Sequence, residues 1–189
     1  QYPRDHHADA TITLSRVDDP LEYGIVITDA DGHIVRFLEK PSWGEVFSDT
    51  VNTGIYVLEP SIWQEIPEDH EVDFSKNVFP SLLTHHRPLF GYIAPGYWCD
   101  VGNIREYKHA HSDVLKGKVD LAPQGERIGR IGSDIWVGDN STIASFKGFD
   151  GSVLVGRGVS IGEARIKSSF VGDHVSIQGG AVVENSILW

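Results

Sequence analysis

Glu39 and Lys40 stand side by side after the apolar pair Phe37-Leu38 and directly before Pro41. An acceptor and a cation leaving a strand together occupy its C-terminal end, which is where open α/β sheets bind ligands. A lysine neutralises a phosphate as a point charge, and a neighbouring carboxylate accepts hydrogen bonds from sugar hydroxyls. A solvated strand end carries the same pair, so on these two residues alone both readings stay open. Asn52-Thr53-Gly54 precedes an apolar run, but Asn and Gly are ordinary turn residues and point to no ligand by themselves. Asp100, followed by Val101-Gly102, is either a Mg²⁺ ligand or a loop residue that helps to start the next helix. The nine histidines include His6-His7, His85-His86 and the pair His109/His111. Neither adjacent residues nor an i,i+2 pair share one helix face, so zinc chelation is poorly served and solvated surface histidines are expected.

The elements that must position these residues read as strands alternating with short helices. Residues 11–17 are β-rich. Residues 23–28 and 33–38 flank Asp29-Ala30-Asp31-Gly32, a polar connection of the kind that closes a hairpin. Residues 54–58 form a further apolar strand, and Pro60 suits the first turn of a helix running to residue 66. Ser75 is expected to cap a helix carrying Val78, Phe79, Leu82 and Leu83, with Pro80 in its first turn or breaking it. Residues 89–93 read as another strand. Asn103 is expected to cap a helix with Ile104, Tyr107, Ala110, His111, Val114 and Leu115 on one side. This alternation predicts an α/β layered domain.

Composition divides the chain. Of the net charge of −11, all lies in residues 1–115, with 8 Lys+Arg against 19 Asp+Glu, while residues 116–189 carry 8 of each. Glycine runs the other way, with 7 before residue 116 and 13 after it. We therefore expect a domain at 1–115 and a second at 116–189, meeting near 116–120. The acidic first segment supplies no basic stripe for nucleic acid, although a small phosphorylated ligand needs only one or two placed cations and a metal. No run approaches a membrane span and the polar residues 1–9 read as no secretory signal, so no membrane partner is expected. The single cysteine, Cys99, excludes an internal disulfide framework and suits a reducing compartment such as the cytoplasm. With no methionine in 189 residues, Gln1 is not read as a translation start, and a piece of a longer chain is expected.

The second segment repeats itself. Val137-Gly138 is followed six residues later by Ile143; Val155-Gly156 by Ile161-Gly162; and Val171-Gly172 by Ile177. An aliphatic residue every sixth position, often followed by Gly, predicts a left-handed parallel β-helix of hexapeptide repeats. Such a stack is quasi-one-dimensional, so its ends must be capped or paired. Ile187-Leu188-Trp189 is still apolar and in register, which reads as an end that is cut or buried against a partner, and a homo-oligomer through the β-helix is expected. His174, beside Asp173 at a coil corner, admits a general-base role of the acyltransferase kind, but such a pair is ordinarily a polar turn and the analogy rests on fold alone.

Taken in order, ADATITLS at 8–15, EYGIV at 22–26, FLEKP at 37–41, NTGIYVL at 52–58, DFSKNVFPSLL at 73–83 and WCDVGNIREY at 98–107 resemble the sugar-phosphate nucleotidylyltransferases. Within them the chain looks most like the mannose-1-phosphate guanylyltransferase branch, and the hexapeptide coils match the C-terminal domain of many members. The resemblance implies the C-terminal, sugar-binding half of a nucleotidyltransferase-type mixed sheet flanked by helices, followed by the β-helix. It implies attack of a sugar 1-phosphate, mannose 1-phosphate or a relative, on the α-phosphate of GTP or another nucleoside triphosphate, with release of pyrophosphate. Carried over by motif, Lys40 holds the phosphate of the sugar phosphate and Glu39 the sugar hydroxyls. Tyr23, Gly24, Asn52 and Thr53 line the sugar pocket, and Asp100 is one of two carboxylates holding Mg²⁺.

The family's Gly-rich GGxGTRL-type loop, its downstream Lys and its second metal-binding Asp do not occur in these 189 residues. The chain is therefore expected to contribute no catalytic residue of the nucleotide-binding half and to be inactive by itself. It is read as a fragment of an active enzyme, an incompletely recorded chain or a relict. Glucose-1-phosphate transfer to another base and a non-catalytic, sugar-nucleotide-binding regulatory subunit are the alternatives.

Overall fold

The computed structural model describes residues 1–39, 48–130 and 133–189, with the side chains at 39, 129, 130 and 133 left aside. They form two compact units, Gln1–Trp98 and Cys99–Trp189.

The first unit is built on a five-stranded mixed sheet. Its strands are β1 (Ala10–Arg16), β2 (Gly24–Thr28), β3 (Ile34–Glu39), β4 (Thr50–Leu58) and β5 (Leu89–Ile93), in the order β3-β2-β4-β1-β5. Strand β1, paired with β4 on one side and β5 on the other, buries Ala10, Thr11, Ile12 and Leu14. It runs antiparallel to β4 and parallel to β5, and parallel pairing requires a crossover. The chain makes that crossover with a 3₁₀ turn (Pro60–Glu65), a π-helical turn (Phe74–Val78) and helix α2 (Phe79–Thr84); a one-turn helix α1 (Tyr2–Asp5) precedes β1. Ile12, Leu14 and Val26 of the sheet are sealed from solvent against Ile62, Phe79 and Leu82. Burying side chains of this size contributes about 1.5–3 kcal/mol each.

The helix expected after Ser75 is present, but Ser75 is not its cap. The Asp73 carboxylate Oδ1 accepts the backbone N–H groups of Ser75 and Lys76 at 2.7 and 3.0 Å, a stronger capping acceptor than a hydroxyl because it is charged. Pro80 lies in the first turn of α2, directly after the π-helical turn, as one of the two expected placements had it. Arg87 ties the crossover to the sheet. Its Nε donates to Asp9 Oδ2 at 2.7 Å, one terminal nitrogen to Glu65 Oε1 at 3.1 Å and the other to Ser61 Oγ at 2.9 Å. Hydrogen bonding to Asp9 leads the effects that hold this guanidinium above its already high pKa.

The second unit opens with helix α3 (Ile104–Leu115), capped by Asn103, whose Oδ1 accepts the Glu106 N–H at 3.0 Å. The division between Trp98 and Cys99 precedes the compositional change at 116–120, because α3 packs on the coils that follow it. His111 lies 4.7 Å from Phe170 and Tyr107 6.0 Å from Trp189, ring centroid to centroid. Leu115 is buried, whereas Ile104 on the same expected stripe is 72% exposed.

Behind α3, parallel strands stack in three columns of a β-helix of about three turns. After β6 (Glu126–Arg130), the first column is β7 (Ser133–Val137), β10 (Ser152–Val155), β13 (Phe170–Val171) and β16 (Ile187–Leu188). The second is β8 (Thr142–Ile143), β11 (Ser160–Ile161) and β14 (Ser176–Ile177), and the third β9 (Phe149–Asp150), β12 (Arg165–Lys167) and β15 (Val182–Glu184). The inward apolar residues pair directly: Val137, Val155, Val171 and Leu188 in one column, Ile143, Ile161 and Ile177 in the next, Phe149, Ile166 and Val183 in the third. Among the described residues of this unit only β6 breaks the parallel pattern, lying antiparallel on β7. Where a glycine follows the aliphatic it has a packing cause: a Cβ on Gly138 would stand 2.6 Å from the Gly156 carbonyl carbon, and one on Gly156 2.7 Å from that of Gly172. Among the described residues no helix is long and apolar enough to cross a membrane.

Candidate functional site

Three of the sequence motifs meet on one transverse row of the sheet. The β2–β3 hairpin is closed at its tip by Asp29, whose Oδ1 accepts the N–H groups of Asp31 and His33 at 3.0 and 2.9 Å. Its register then pairs Gly24 with Glu39 at the open end. Strand β2 meets β4 at Ile25 and Val51, one residue along from Gly24 and Asn52, and Asn52 is paired with Leu14 of β1. Gly24 is buried, and Tyr23, half-buried just before it, sets its ring edge-on to Trp98 at 5.5 Å. Tyr23, Gly24, the backbone of Glu39 and Asn52 are thus brought together. Lys40 lies outside the described residues.

Asn52-Thr53-Gly54, weak as a sequence signal, builds a bulge in β4. Thr13 alone faces the stretch between the pairs Ile12–Tyr56 and Leu14–Asn52. Gly54 takes φ +79°, with open space where a Cβ would be, and such a positive φ suits glycine. Thr53 Oγ1 donates to the Thr13 carbonyl at 2.8 Å, so this hydroxyl pins the bulge. Asn52 Oδ1 accepts the Gly54 N–H at 2.9 Å, and Nδ2 donates to Tyr56 Oη at 3.0 Å and Ser75 Oγ at 3.3 Å. The strand expected from residue 54 therefore begins at Thr50 and bends at Gly54. Sequence reasoning missed Tyr56 and Ser75 as polar neighbours of Asn52. The Asp73-x-Ser75 spacing was the available signal, since an Asp cap fixes the residue two positions on.

Asp100 belongs to the second unit, exposed on the loop that leads to the Asn103 cap. Among the described residues its carboxylate has no hydrogen-bond or ion-pair partner. Free hard oxygens fit a Mg²⁺ ion, which takes one or two carboxylates and completes its shell with water and substrate phosphate oxygens. A second acidic group, Asp29, Asp31 and His33, brings one ligand atom from each within 4.8 Å of one another. Turn closure at the hairpin tip already accounts for that cluster through Asp29. The histidines are mostly at the surface, as expected: seven of the nine are exposed, and only His6, stacked on Tyr2 at 4.1 Å, and His111 are half-buried. His174 sits at a coil corner with φ +62°, its ring over Gly158.

The sequence profile described as Nucleotidyl transferase matches residues 2–117. Similar proteins include the mannose-1-phosphate guanylyltransferase of Mycobacterium tuberculosis, 33% identical over 185 residues, covering 97% of this chain and 50% of the relative. The UTP--glucose-1-phosphate uridylyltransferase of Synechocystis is 32% identical over 196 residues (98% and 49%). The glucose-1-phosphate adenylyltransferase of Desulfitobacterium hafniense strain Y51 is 31% identical over 202 residues (99% and 48%). The chain spans about half the length of the curated relatives it matches.

Proposed function

Because this chain belongs to the nucleotidyl transferase family, we propose that it supplies the sugar-binding part of a sugar-1-phosphate nucleotidyltransferase making GDP-mannose from mannose 1-phosphate and GTP, with release of pyrophosphate. The observation that carries this reading is the sheet row on which Gly24, Glu39 and Asn52 meet from three separate motifs. A buried glycine there lets a ligand approach the backbone closely, flanked by a carboxylate position and an amide.

In this reading Glu39 accepts hydrogen bonds from sugar hydroxyls, while Tyr23, Gly24, Asn52 and Thr53 shape the pocket wall. Lys40 neutralises the sugar phosphate, which fixes the attacking oxygen; phosphoryl chemistry of this kind depends on positioning and charge neutralisation more than on a protein nucleophile. Asp100 is one of the carboxylates that hold Mg²⁺. The ion supplies charge neutralisation on the phosphates when bound. The β-helix serves as the surface for self-association, and the reducing compartment suited to Cys99 is the cytoplasm.

Glucose 1-phosphate with another base is the second reading, favoured by the uridylyl and adenylyl relatives at nearly the same identity. A panel of mannose and glucose 1-phosphates against GTP, ATP and UTP, followed by pyrophosphate release from the full-length protein, separates the two. Selective turnover of mannose 1-phosphate with GTP is expected. Preference for glucose 1-phosphate replaces the first reading with the second, and no turnover with any pair favours the regulatory alternative.

A further inference from the structure

Helix α3 and the residues just after it carry more cations than their own acids use. Arg105 pairs with Glu106 at 3.0 Å, His109 Nε2 with Asp113 at 3.3 Å, and Lys118 with the same Asp113 carboxylate at 2.8 Å. Lys108 and Lys116 are left without a carboxylate partner among the described residues. Ser112 lies midway between them, and positions four apart rise along one face of a helix. That face borders a cavity of about 530 Å³ whose opposite wall is a corner of the β-helix, built by Gly151, Ser152, Ser168 and Asn185. Gly151, Ser168 and Asn185 turn successive coils, with φ of +70°, +43° and +47°. Lys108 Nζ donates to the Asn185 carbonyl, which engages one of its three N–H groups. Ser112, Ser152 and Ser168 are half-buried, and among the described residues none of their hydroxyls bonds to protein. Asp134, the acid on the wall, is held by Arg127 at 2.5 Å. The helix dipole favours a cation at the C-cap, where Lys116 sits, but it accounts neither for Lys108 nor for the hydroxyls.

Two ammonium groups and three hydroxyls around one cavity form a donor set with almost no acceptor of its own. A phosphate group answers it best, because it brings close to two negative charges and three acceptor oxygens, whereas a carboxylate brings one charge and two oxygens. The cavity has the size of a small-molecule site, and a chain of net charge −11 offers no basic stripe to a nucleic acid. We propose that this cavity binds a small phosphate-bearing anion, with Lys108 and Lys116 neutralising the phosphate and the serine hydroxyls donating to its oxygens. The site shares no residue with the sheet row, and it stands whether or not the sugar-transferase reading does.

The test is calorimetric titration of the full-length protein at low ionic strength with inorganic phosphate and with glucose 6-phosphate, and with glucose as the uncharged control. Both phosphates should bind and glucose should not. Lys116→Ala should weaken binding about tenfold and Ser152→Ala about threefold, the sizes of a charged and a neutral hydrogen bond. Lys40→Ala, at the separate sugar site, should leave this binding unchanged. Tighter binding of glucose 6-phosphate than of inorganic phosphate identifies the ligand as a phosphate ester, and equal binding identifies it as the free ion; either supports the site when the two pocket variants show their losses. Loss on Lys40→Ala alone places the phosphate elsewhere and overturns the proposal, as do binding of glucose, no binding of either phosphate, or affinities that Lys116→Ala leaves untouched. Lys116 is exposed and its side chain gives up no protein partner among the described residues, so Lys116→Ala decides the matter should Ser152→Ala fail to fold. Turnover assays of the same wild-type protein test the transferase reading separately, so each can fail without the other.

Discussion

The β-helix and the five-stranded sheet obtain their order in different ways. In the β-helix each inward aliphatic meets an equivalent residue one coil along, as Val137, Val155, Val171 and Leu188 do. In the sheet, β1 must find β4 and β5, which lie at unrelated distances along the chain. The repeat therefore writes its contacts into the sequence as a period, while the sheet writes them as a set of pairings that no local pattern reveals. The same difference predicts how each unit fails. A coil stack loses nearest-neighbour contacts, whereas a sheet closed around one core loses cooperativity as a whole.

The largest expected effect tests that contrast directly. Ile166 and Ile12 are both fully buried, and truncating either to Ala should lower stability by about 2–5 kcal/mol. With Ile166→Ala, hydrogen exchange should accelerate first in β9 and β15, the two strands paired with β12. With Ile12→Ala, protection should fall together across all five strands of the sheet. Uniform loss of protection through the β-helix after Ile166→Ala would remove the distinction.

The next effect concerns chemistry in place of folding. Lys40→Ala should weaken use of the sugar 1-phosphate by about 1.5–3 kcal/mol, the range for a hydrogen bond to a charged group. Apparent affinity for the nucleoside triphosphate should change little. Kinetics with each substrate varied in turn measure both, and equal losses for the two would remove Lys40 from the proposed role.

How far the fold and the site could be read in advance follows the same line. The hexad period anticipated two of the three columns of the β-helix, Val137/Val155/Val171 and Ile143/Ile161/Ile177, because the residues that carry the signal are those that touch. The β2–β3 hairpin and the Asn103 cap were legible for the same reason, since both are made by residues within one or two turns of each other. The bulge at Asn52-Thr53-Gly54 was not, because it exists only when β4 is laid against β1 and Thr13 must face three residues. Ser75 was seen, but as a cap, because a hydroxyl before an apolar run looks alike whether it caps a helix or faces a side chain from another strand. The contact between Asn52 and Ser75 spans 23 positions, and nothing in the local sequence encodes it.

A pair of glycine substitutions sharpens the contrast at intermediate size. Gly156→Ala would press a methyl group against the Asp173 carboxylate at 2.5 Å and against the Gly172 and Asp173 backbone at 2.7 Å in the next coil, where the backbone cannot rotate away, and should destabilise by about 1–3 kcal/mol. Gly91→Ala in β5 meets side chains alone, the methyl ends of Leu14 and Thr28 at 2.6 and 2.8 Å and Ile34 Cγ1 at 3.5 Å. Those side chains can shift by a rotamer, so the loss should be smaller. Denaturant midpoints of the two variants measure the difference, and a larger loss at Gly91 would show that coil spacing is softer than its backbone contacts imply.

The smallest expected effect lies at a coil corner that carries an ion pair between neighbouring coils. Asp173 accepts the Arg157 backbone N–H at 2.7 Å and its guanidinium nitrogens at 3.1 and 2.8 Å. The backbone bond first, and then the guanidinium, hold the Asp173 carboxyl below the usual carboxylate range. A group depressed in the folded state contributes stability that is fully present above its unfolded pKa of roughly 3.9 and is lost as pH falls through the folded value. Asp173→Asn should therefore be less stable than wild type at neutral pH. The gap between them should close as the solution is acidified below the ordinary carboxylate range. It should also shrink with added salt, because both partners are exposed and screened. Denaturant midpoints of the two proteins at neutral and acid pH supply the measurement. A gap that stays constant as the pH falls would mean that the corner is held by its backbone bonds alone, and that the coil stack needs no charge at its turns.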